Sequence, residues 1–223
     1  MKTGKLFFIA TLSLIGFAGQ ESDAQTLEKM HWFNEPAKWE VRNPATFVMQ
    51  VPAQTDYWRV SHYGFTVDDA PFYYAEYGGE FEVKVKITGN YKTTFDQMGL
   101  MLRIDHENWI KTGIEYVDGK QNISTVVTNK RSDWSVVELD KAPKSIWIKA
   151  LRRLDAVEIF YSYDDKTYNM LRTCWFQDNC PVRVGLMGAS PDGNGFEAVF
   201  EHFEVKQLTD LRRQAWAEKQ KNK

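Results

Sequence analysis

The chain has 223 residues, of which 43% are apolar, 26% are charged and 14% are aromatic, and its formal net charge is −2. Because 28 Lys and Arg residues stand against 30 Asp and Glu residues, no excess of positive charge would draw the chain to a phosphate backbone, which argues against a nucleic-acid partner. The aromatic content is too high for intrinsic disorder. A chain of this length buries roughly two-thirds of its unfolded surface, which suffices for a stable core without a cofactor.

Residues 1–24 have the pattern of a secretory signal peptide. Two lysines give a positive start, the stretch 6–18 carries no charge, and Ser22 and Ala24 place small residues at the two positions that signal peptidase reads. The apolar run of about 13 residues is shorter than the roughly 20 that span a bilayer, so a membrane anchor is the weaker interpretation. We expect cleavage near Ala24, export to the periplasm or the extracellular space, and no membrane insertion of the mature protein.

From residue 25 onward, polar and apolar residues alternate in many short segments, which is typical of strands with one buried face. These segments are rich in β-branched and aromatic residues and are separated by turn signals such as Asp118-Gly119. They predict strands at 80–87, 95–104, 109–117, 123–128, 146–151, 157–163, 182–187 and 196–205. Closely spaced strands without helices between them indicate an all-β sandwich or barrel.

Nothing in the pattern divides residues 25–223, since they contain no repeat, no low-complexity linker and no shift of composition. We therefore expect a single domain, present as a monomer, with its core over residues 30–207. The one convincing helix is a short tail at 210–220, with Asp210 as its N-cap and Trp216 as its apolar anchor.

The two cysteines, Cys174 and Cys180, are separated by five residues. In an exported protein, an even pair at short separation predicts a disulfide that closes a small loop. A redox-active pair more often has two intervening residues, so a catalytic dithiol is the weaker interpretation.

The predicted strands 95–104 and 109–117 carry an unusual polar face. Alternation predicts that one set of side chains points into the core and that the other set points outward. The outward set comprises Gln97, Gly99, Met101 and Arg103 on the first strand and Trp109, Lys111, Gly113 and Glu115 on the second. The short connection between the strands makes them antiparallel neighbours, so both outward sets share one face of a sheet. Glycine in mid-strand lets another group approach the backbone, and the pattern favours a sugar-binding trough, with an ordinary solvated face as the alternative.

Four motifs, in this order along the chain, are specific enough to indicate a family. They are Thr55-Asp56-Tyr57-Trp58, Asp96-Gln97-Met98-Gly99-Leu100-Met101, Trp109-Ile110-Lys111-Thr112-Gly113-Ile114-Glu115 and Ser132-Asp133-Trp134-Ser135. Over roughly residues 30–207, the chain resembles the concanavalin A-like family of unknown function that includes the "regulation of enolase" proteins. The resemblance implies a two-sheet antiparallel jelly roll of the lectin and glucanase type. It implies no established reaction, and carbohydrate binding follows from it only as an expectation at the level of the fold.

The motifs also supply the remaining residues of the predicted ligand site. We expect Gln97, Arg103, Trp109, Lys111 and Glu115 to converge on the sheet face, with Asp56, Trp58, Asp133 and Trp134 bordering it from loops. Aromatic rings can stack on the C–H faces of a pyranose while polar side chains bind its hydroxyls. The alternative is that Trp58 and Trp134 plug the core.

Catalysis remains open on the sequence. A glycoside hydrolase needs two carboxyl groups that flank the bond, and Glu115 with Asp133 or Asp96 is the candidate set. Lys111, on the same face, would keep Glu115 ionised, whereas an acid catalyst needs the opposite. A polysaccharide lyase would need a basic groove, on which the sequence does not decide, and a protein-interaction scaffold is a third class.

Metal sites have little support in the sequence. The four histidines have no partner at ligand spacing, so zinc is not expected. The loop Asp192-Gly193-Asn194-Gly195 has oxygen donors at alternate positions, which gives a weak expectation of Ca²⁺ at Asp192 and Asn194 and a stronger one of a tight turn.

Overall fold

The structure is a computed structural model that describes residues 27–209 and 212–221. The signal peptide expected at 1–24 and the N-cap expected at Asp210 lie outside the described residues. No helix in the described part of the chain is long and apolar enough to cross a membrane.

The described residues form a nearly all-β structure that begins with a turn of 3-10 helix at Leu27–Lys29. The first eight strands are β1 (His31–Phe33), β2 (Trp39–Asn43), β3 (Thr46–Val51), β4 (Tyr57–Arg59), β5 (Thr66–Asp68), β6 (Phe72–Tyr77), β7 (Phe81–Gly89) and β8 (Gln97–Arg103). The next eight are β9 (Asn108–Val117), β10 (Lys120–Asn129), β11 (Arg131–Glu138), β12 (Ile146–Arg153), β13 (Ala156–Ser162), β14 (Asn169–Trp175), β15 (Val182–Ala189) and β16 (Phe196–Gln207). A helix, α1, follows at Arg212–Lys221.

Two antiparallel seven-stranded sheets form a sandwich. The front sheet has the order β1-β6-β15-β8-β9-β10-β11, and the back sheet has the order β14-β13-β12-β7-β16-β3-β2. The strands β4 and β5 form a two-stranded ribbon that is not hydrogen-bonded into either sheet. The predicted two-sheet antiparallel sandwich is therefore confirmed, since neighbouring strands of each sheet are hydrogen-bonded in antiparallel register.

The main core lies between the two sheets. Its centre is made of alternate residues of β7, β8 and β12, among them Val85, Leu100 and Ile148, each completely buried. Burying such side chains removes about 1.5–3 kcal/mol of unfavourable hydration each. Alternation thus places one face of β8 in this core and leaves the other face, with Met101, in a second apolar cluster on the far side of the front sheet.

The eight predicted strands are all present, as β7, β8, β9, β10, β12, β13, β15 and β16. The pattern missed the strands before residue 80 and the strands β11 and β14. β1, β2, β11 and β14 are edge strands, where exposure on both faces erases the alternation, and β4 and β5 have only three residues each. β3 and β6 are inner strands of six residues in which consecutive residues are buried, so the alternation is interrupted. The tail helix is present, but the prediction that Trp216 anchors it is wrong, because this side chain is 63% exposed.

Candidate functional site

The site is built on the outer face of the front sheet, where β8 and β9 pair in antiparallel register. Gln97 lies opposite Glu115, and Arg103 lies opposite Trp109. The face that alternation assigns to these polar side chains is therefore one continuous surface, turned away from the core between the sheets. What lies over that surface differs from one end to the other.

One end of the face is covered by the ribbon β4-β5. Tyr57 and Trp58 of the ribbon join Met101 and Trp109 in an apolar cluster on this face. The ribbon is tied down by the backbone N–H of Arg59, which donates to Ser132 Oγ at 2.9 Å, and by further contacts of the Arg59 side chain. This half of the surface is consequently closed to solvent.

Two of the predicted ligand-binding residues lie in the closed half. Arg103 is 3% exposed and makes a bidentate pair with Asp68 of β5, with both N–O distances at 2.6 Å. Its guanidinium also lies 4.6 Å from the centre of the Phe33 ring. Trp109 is 1% exposed and packs on Tyr57 at a ring distance of 6.0 Å. The structure therefore does not bring Arg103 and Trp109 to an accessible surface; they hold the ribbon on the sheet.

The other end of the face is an open pocket of about 290 Å³ (a size near the lower end of ligand sites). Polar and aromatic side chains from five separate stretches of the chain meet there. The lining comprises Asp56, Trp58, Tyr63, Phe65, Phe95, Gln97, Lys111, Glu115, Val126, Trp134, Pro191 and Asp192. Six of the predicted site residues thus come together: Asp56, Trp58, Gln97, Lys111, Glu115 and Trp134.

Glu115 lies at the floor of the pocket and is 6% exposed. Its Oε2 atom accepts hydrogen bonds from Ser124 Oγ at 2.6 Å and from Trp134 Nε1 at 2.8 Å. Among the described residues, no hydrogen bond is directed to its other oxygen, Oε1. The carboxyl group is therefore fixed by one oxygen and has the second free for a ligand.

Burial raises the pKa of Glu115 above its ordinary value, although Lys111 and the two hydrogen-bond donors oppose this shift and Asp56 adds to it. The sequence-based expectation that Lys111 decides the charge of Glu115 is wrong for a physical reason. Removal of water from a carboxylate that is only 6% exposed outweighs the attraction of one ammonium, and that ammonium is paired with Asp56.

Asp56 is the partner of Lys111. Lys111 Nζ lies 3.0 Å from Asp56 Oδ1 and donates to the Tyr57 carbonyl at 2.6 Å. Gln97 Nε2 lies 3.4 Å from the same Asp56 oxygen and 3.2 Å from the Phe95 carbonyl oxygen. As in Glu115, the donors converge on one carboxylate oxygen, and among the described residues none is directed to Oδ2.

Aromatic rings form the walls of the pocket. Tyr63 stacks on Phe65 at a ring distance of 5.6 Å and meets Trp58 edge-on at 5.5 Å, while Phe95 meets Trp134 edge-on at 6.4 Å. Tyr63 and Phe65 are about half exposed, at 50% and 45%. The pocket thus presents apolar ring surface above a polar floor.

The wall loops have an unusual backbone. Val60 and His62 have φ angles of 64°, and Phe95 has a φ angle of 70°. Left-handed conformations are unfavourable for such residues, and they persist only where the surrounding structure imposes them. At Phe95 the imposed turn carries its ring to the pocket.

Sequence reasoning missed Tyr63, Phe65, Phe95, Val126 and Pro191 as lining residues. For the first two a signal existed, because an aromatic and glycine-containing stretch, Tyr63-Gly64-Phe65, is separated by only four residues from the motif that ends at Trp58. A signal also existed for Phe95, which has the same parity as Gln97 on the predicted strand 95–104, and for Val126, which lies opposite Lys111 in the hairpin of β9 and β10. No local pattern reveals that Pro191 approaches this face.

The other two candidate catalytic carboxylates do not line the pocket. Asp133 lies on the opposite face of β11 from Trp134, in register with Val127, and its carboxylate is 3.3 Å from Arg172 of β14. Asp96 is 1% exposed and accepts hydrogen bonds from the backbone of Lys92 and Thr93 and from a serine hydroxyl. Its contacts close a turn. The placement of Asp133 in a loop at the site is thus corrected.

The mid-strand glycines do not have the predicted role of letting a ligand approach the backbone of the sheet. Gly99 and Gly113 face each other across β8 and β9, and a Cβ atom added at either would lie 2.0 Å from a backbone oxygen of the neighbouring strand. They permit the two strands to approach each other, and neither lines the main pocket.

The predicted metal positions and the cysteines of the predicted disulfide lie elsewhere in the structure or at the edge of the pocket. Within the described residues, no group of three or more His, Cys, Asp or Glu side chains could hold a metal ion, and Asp192 lies at the rim of the pocket. Cys174 and Cys180 are free thiols, so the predicted disulfide is not formed in the structure. Burial raises the pKa of Cys174 to about 11.

Comparison with known proteins decides the family. Residues 32–208 match the family described as "Protein of unknown function (DUF1349)". The chain belongs to this family. The match spans all of the strands that form the pocket, so the pocket lies within the DUF1349 region.

Relatives of the chain include "Regulation of enolase protein 1" of Saccharomyces cerevisiae, with 32% identity over 86% of this chain and 98% of the relative. A crystal structure of a functionally unknown protein from Saccharomyces cerevisiae has a TM-score of 0.78 and 31% identity over 82% of this chain and 98% of the other.

A xylan beta-1,4-xylosidase from Bacillus halodurans C-125 has a TM-score of 0.63 and 12% identity, over 84% of this chain and 40% of the enzyme. At this level of identity, the likeness shows that the DUF1349 region shares its sandwich fold with a part of a carbohydrate-active enzyme.

Proposed function

We propose that the pocket on the front sheet binds a carbohydrate and that the protein is an exported glycan-binding or glycan-processing-associated module. The observation that carries the proposal is the combination of aromatic walls with a buried carboxyl group, that of Glu115, which has one oxygen fixed and one free. Sugars combine apolar C–H faces with hydroxyl groups in fixed positions, and this pocket offers a counterpart to each.

The walls and the floor of the pocket would contact different parts of a sugar. Tyr63 and Phe65, which are about half exposed, supply ring surface that can stack on a pyranose, and the largely buried Trp58 supports Tyr63 edge-on. Glu115 and Asp56 supply acceptors that are already oriented by their own hydrogen bonds, so little side-chain entropy is lost when a ligand binds. An open pocket of about 290 Å³ has room for one or two sugar rings.

The test is a binding screen by isothermal titration calorimetry against neutral mono- and oligosaccharides, with Trp134→Ala as the probe variant. Trp134 lines the pocket, and its loss should weaken binding about tenfold or more, because both ring contact and a hydrogen bond to Glu115 are removed. Trp175→Ala is the matched control, since Trp175 is an exposed tryptophan on the edge strand β14.

Failure of every sugar at millimolar concentration would contradict the carbohydrate proposal. It would favour the alternative in which the exposed rings of the pocket contact another protein. Equal loss of binding in the two tryptophan variants would place the ligand outside this pocket.

Hydrolysis of a glycoside is the second candidate, and a specific observation favours it. Two carboxyl groups of the pocket lie in contrasting surroundings: burial raises the pKa of Glu115, whereas Asp56 is ion-paired to Lys111. Paired carboxyl groups in unlike environments are typical of an acid and its partner in glycosidases. Glu115 would then donate a proton to the leaving oxygen, and Asp56 would act on the anomeric carbon directly or through water.

Release of reducing ends tests this second candidate. Glu115→Gln should abolish release of reducing ends, because glutamine cannot donate the proton, whereas Trp175→Ala, outside the pocket, should leave release unchanged. If neutral ligands bind and no reducing ends appear, the pocket is a binding site and the hydrolase candidate fails.

Export is part of the proposal, and it is tested by mass spectrometry of the native protein without reductant. We expect a mature chain that begins near Gln25. An intact N-terminus on the native protein would contradict export.

A further inference from the structure

We propose that the pocket selects sugars without negative charge and rejects acidic ones such as uronates and sulfated sugars. The inference rests on the proposed carbohydrate function and narrows its ligand class. It comes from the charges that line the pocket: among the described lining residues, the one Lys or Arg side chain, Lys111, is already paired with Asp56.

The charges that line the pocket sum to a negative value. Three carboxyl groups, of Asp56, Glu115 and Asp192, stand against one ammonium, of Lys111. Asp56 and Lys111 cancel as an ion pair at 3.0 Å. Asp192 then leaves one negative charge at the rim, and Glu115 adds a second whenever it is ionised.

Lys111 is not free to change partners. Its side chain is 5% exposed, and its Nζ atom is bound by a carboxylate oxygen of Asp56 and by the carbonyl oxygen of Tyr57 at 2.6 Å. To recruit this ammonium, an acidic ligand would have to displace Asp56 and leave a second carboxylate without its counter-charge. Breaking a largely buried pair in this way is strongly unfavourable.

Among the described residues, the other cations of this sheet face are paired as well and do not line the pocket: Arg183 lies near Glu76, and Lys120 lies near Glu138. Arg103 is the most deeply buried of them. Both terminal nitrogens of Arg103 are bound by the two oxygens of Asp68, beneath the ribbon β4-β5 and outside the pocket lining. A sugar carboxylate in the pocket would therefore face other carboxylates in a partly desolvated site, where like charges repel more strongly than in water.

Neutral sugars meet no such penalty. The free oxygens of Glu115 and Asp56 are acceptors, and a sugar hydroxyl is a donor. The same reasoning disfavours a polysaccharide lyase acting on uronates, because such a substrate needs a cation at its carboxylate and this pocket keeps none available.

The experiment compares matched ligands by isothermal titration calorimetry: the methyl β-glycosides of glucose, galactose and mannose, each with the methyl β-glycoside of the corresponding uronic acid. We expect binding of at least one neutral glycoside, and binding of its uronide weaker by roughly tenfold or more at low ionic strength. The discrimination should shrink as salt is added, because part of the rim is exposed to solvent.

Variants locate the origin of the selectivity. Asp192→Asn removes the rim charge and should improve the uronide relative to the neutral glycoside, by a few fold. Glu204→Gln is the control, since it removes a carboxylate that pairs with Lys206 on the back sheet, away from the pocket, and it should leave the ratio unchanged.

The outcomes separate the two proposals. If a uronide binds as tightly as its neutral counterpart or more tightly, the charge selectivity is wrong although the carbohydrate function stands. If no glycoside of either kind binds, the carbohydrate function fails, and the selectivity falls with it.

Discussion

The two halves of the outer face of the front sheet start from the same sequence pattern and end as different structures. Each half has a cation on the sheet paired with an aspartate from the segment around the ribbon β4-β5: Arg103 with Asp68, and Lys111 with Asp56. In the closed half, Asp68 binds through both of its oxygens. In the open half, donors reach one oxygen of Asp56 and one of Glu115.

Whether a polar sheet face becomes a structural contact or a binding site depends on what covers it. Where the covering ribbon supplies the counter-charge, as Asp68 does for Arg103, the ion pair fixes that ribbon in place. Where the ribbon stops short, fixed but incompletely satisfied carboxyl groups remain at the floor of a pocket. Substitutions can test this division between a closed, structural half and an open, ligand-binding half, and the largest effect is expected in the closed half.

Asp68→Ala should be the most damaging change. It leaves the guanidinium of Arg103, 3% exposed, without its counter-charge, and we expect the free energy of unfolding to fall by about 3 kcal/mol. Urea denaturation followed by tryptophan fluorescence measures the loss. A change below about 1 kcal/mol, as is usual for exposed pairs, would show that the closed half is not a structural unit.

Gly99→Ala tests the boundary between the halves. The added Cβ would lie 2.0 Å from the Thr112 carbonyl oxygen, so β8 and β9 must separate, and we expect a loss of about 2 kcal/mol. Gly78→Ala is the control, because nothing lies within 4 Å of a Cβ at Gly78. If the two variants have equal stability, close approach of the strands does not require Gly99.

Glu115→Gln should change how stability depends on pH. Since burial raises the pKa of Glu115, the folded protein holds this proton more tightly than the unfolded chain does. The associated stability is present below the ordinary glutamate pKa, about 4.3, and is lost as pH rises through the higher folded-state pKa.

Glutamine does not titrate, so the variant should gain stability relative to the native protein between acidic and neutral pH. Urea denaturation of both proteins from pH 4 to pH 8 checks the sign. Parallel profiles would contradict the inference that the floor carboxyl group is strongly desolvated.

Trp134→Phe should have the smallest effect. It keeps a ring in the wall but removes the donor that lies 2.8 Å from Glu115 Oε2, while the Ser124 hydroxyl remains. Loss of one hydrogen bond of about 1 kcal/mol should weaken binding of a neutral glycoside roughly fivefold, as measured by calorimetry. No change in affinity would mean that Glu115 is not oriented through Trp134.

Much of this protein was determined by local sequence pattern. Alternation in segments such as 80–87 predicted the strands of the sandwich core, and the short connection between β8 and β9 predicted that Gln97 and Glu115 share a face. Side-chain direction repeats every two residues along a strand, so a local reading is enough to assign faces.

Tertiary structure alone decided which of those faces became a pocket. Asp56 and Lys111 are 55 residues apart, and Arg103 and Asp68 are 35 residues apart, so neither pair is visible in any local pattern. Burial, and with it the raised pKa of Glu115, depends on which distant segments lie above the sheet. A strand determines the direction of its side chains, whereas the distant segments that pack over the sheet determine how far those side chains are exposed to solvent.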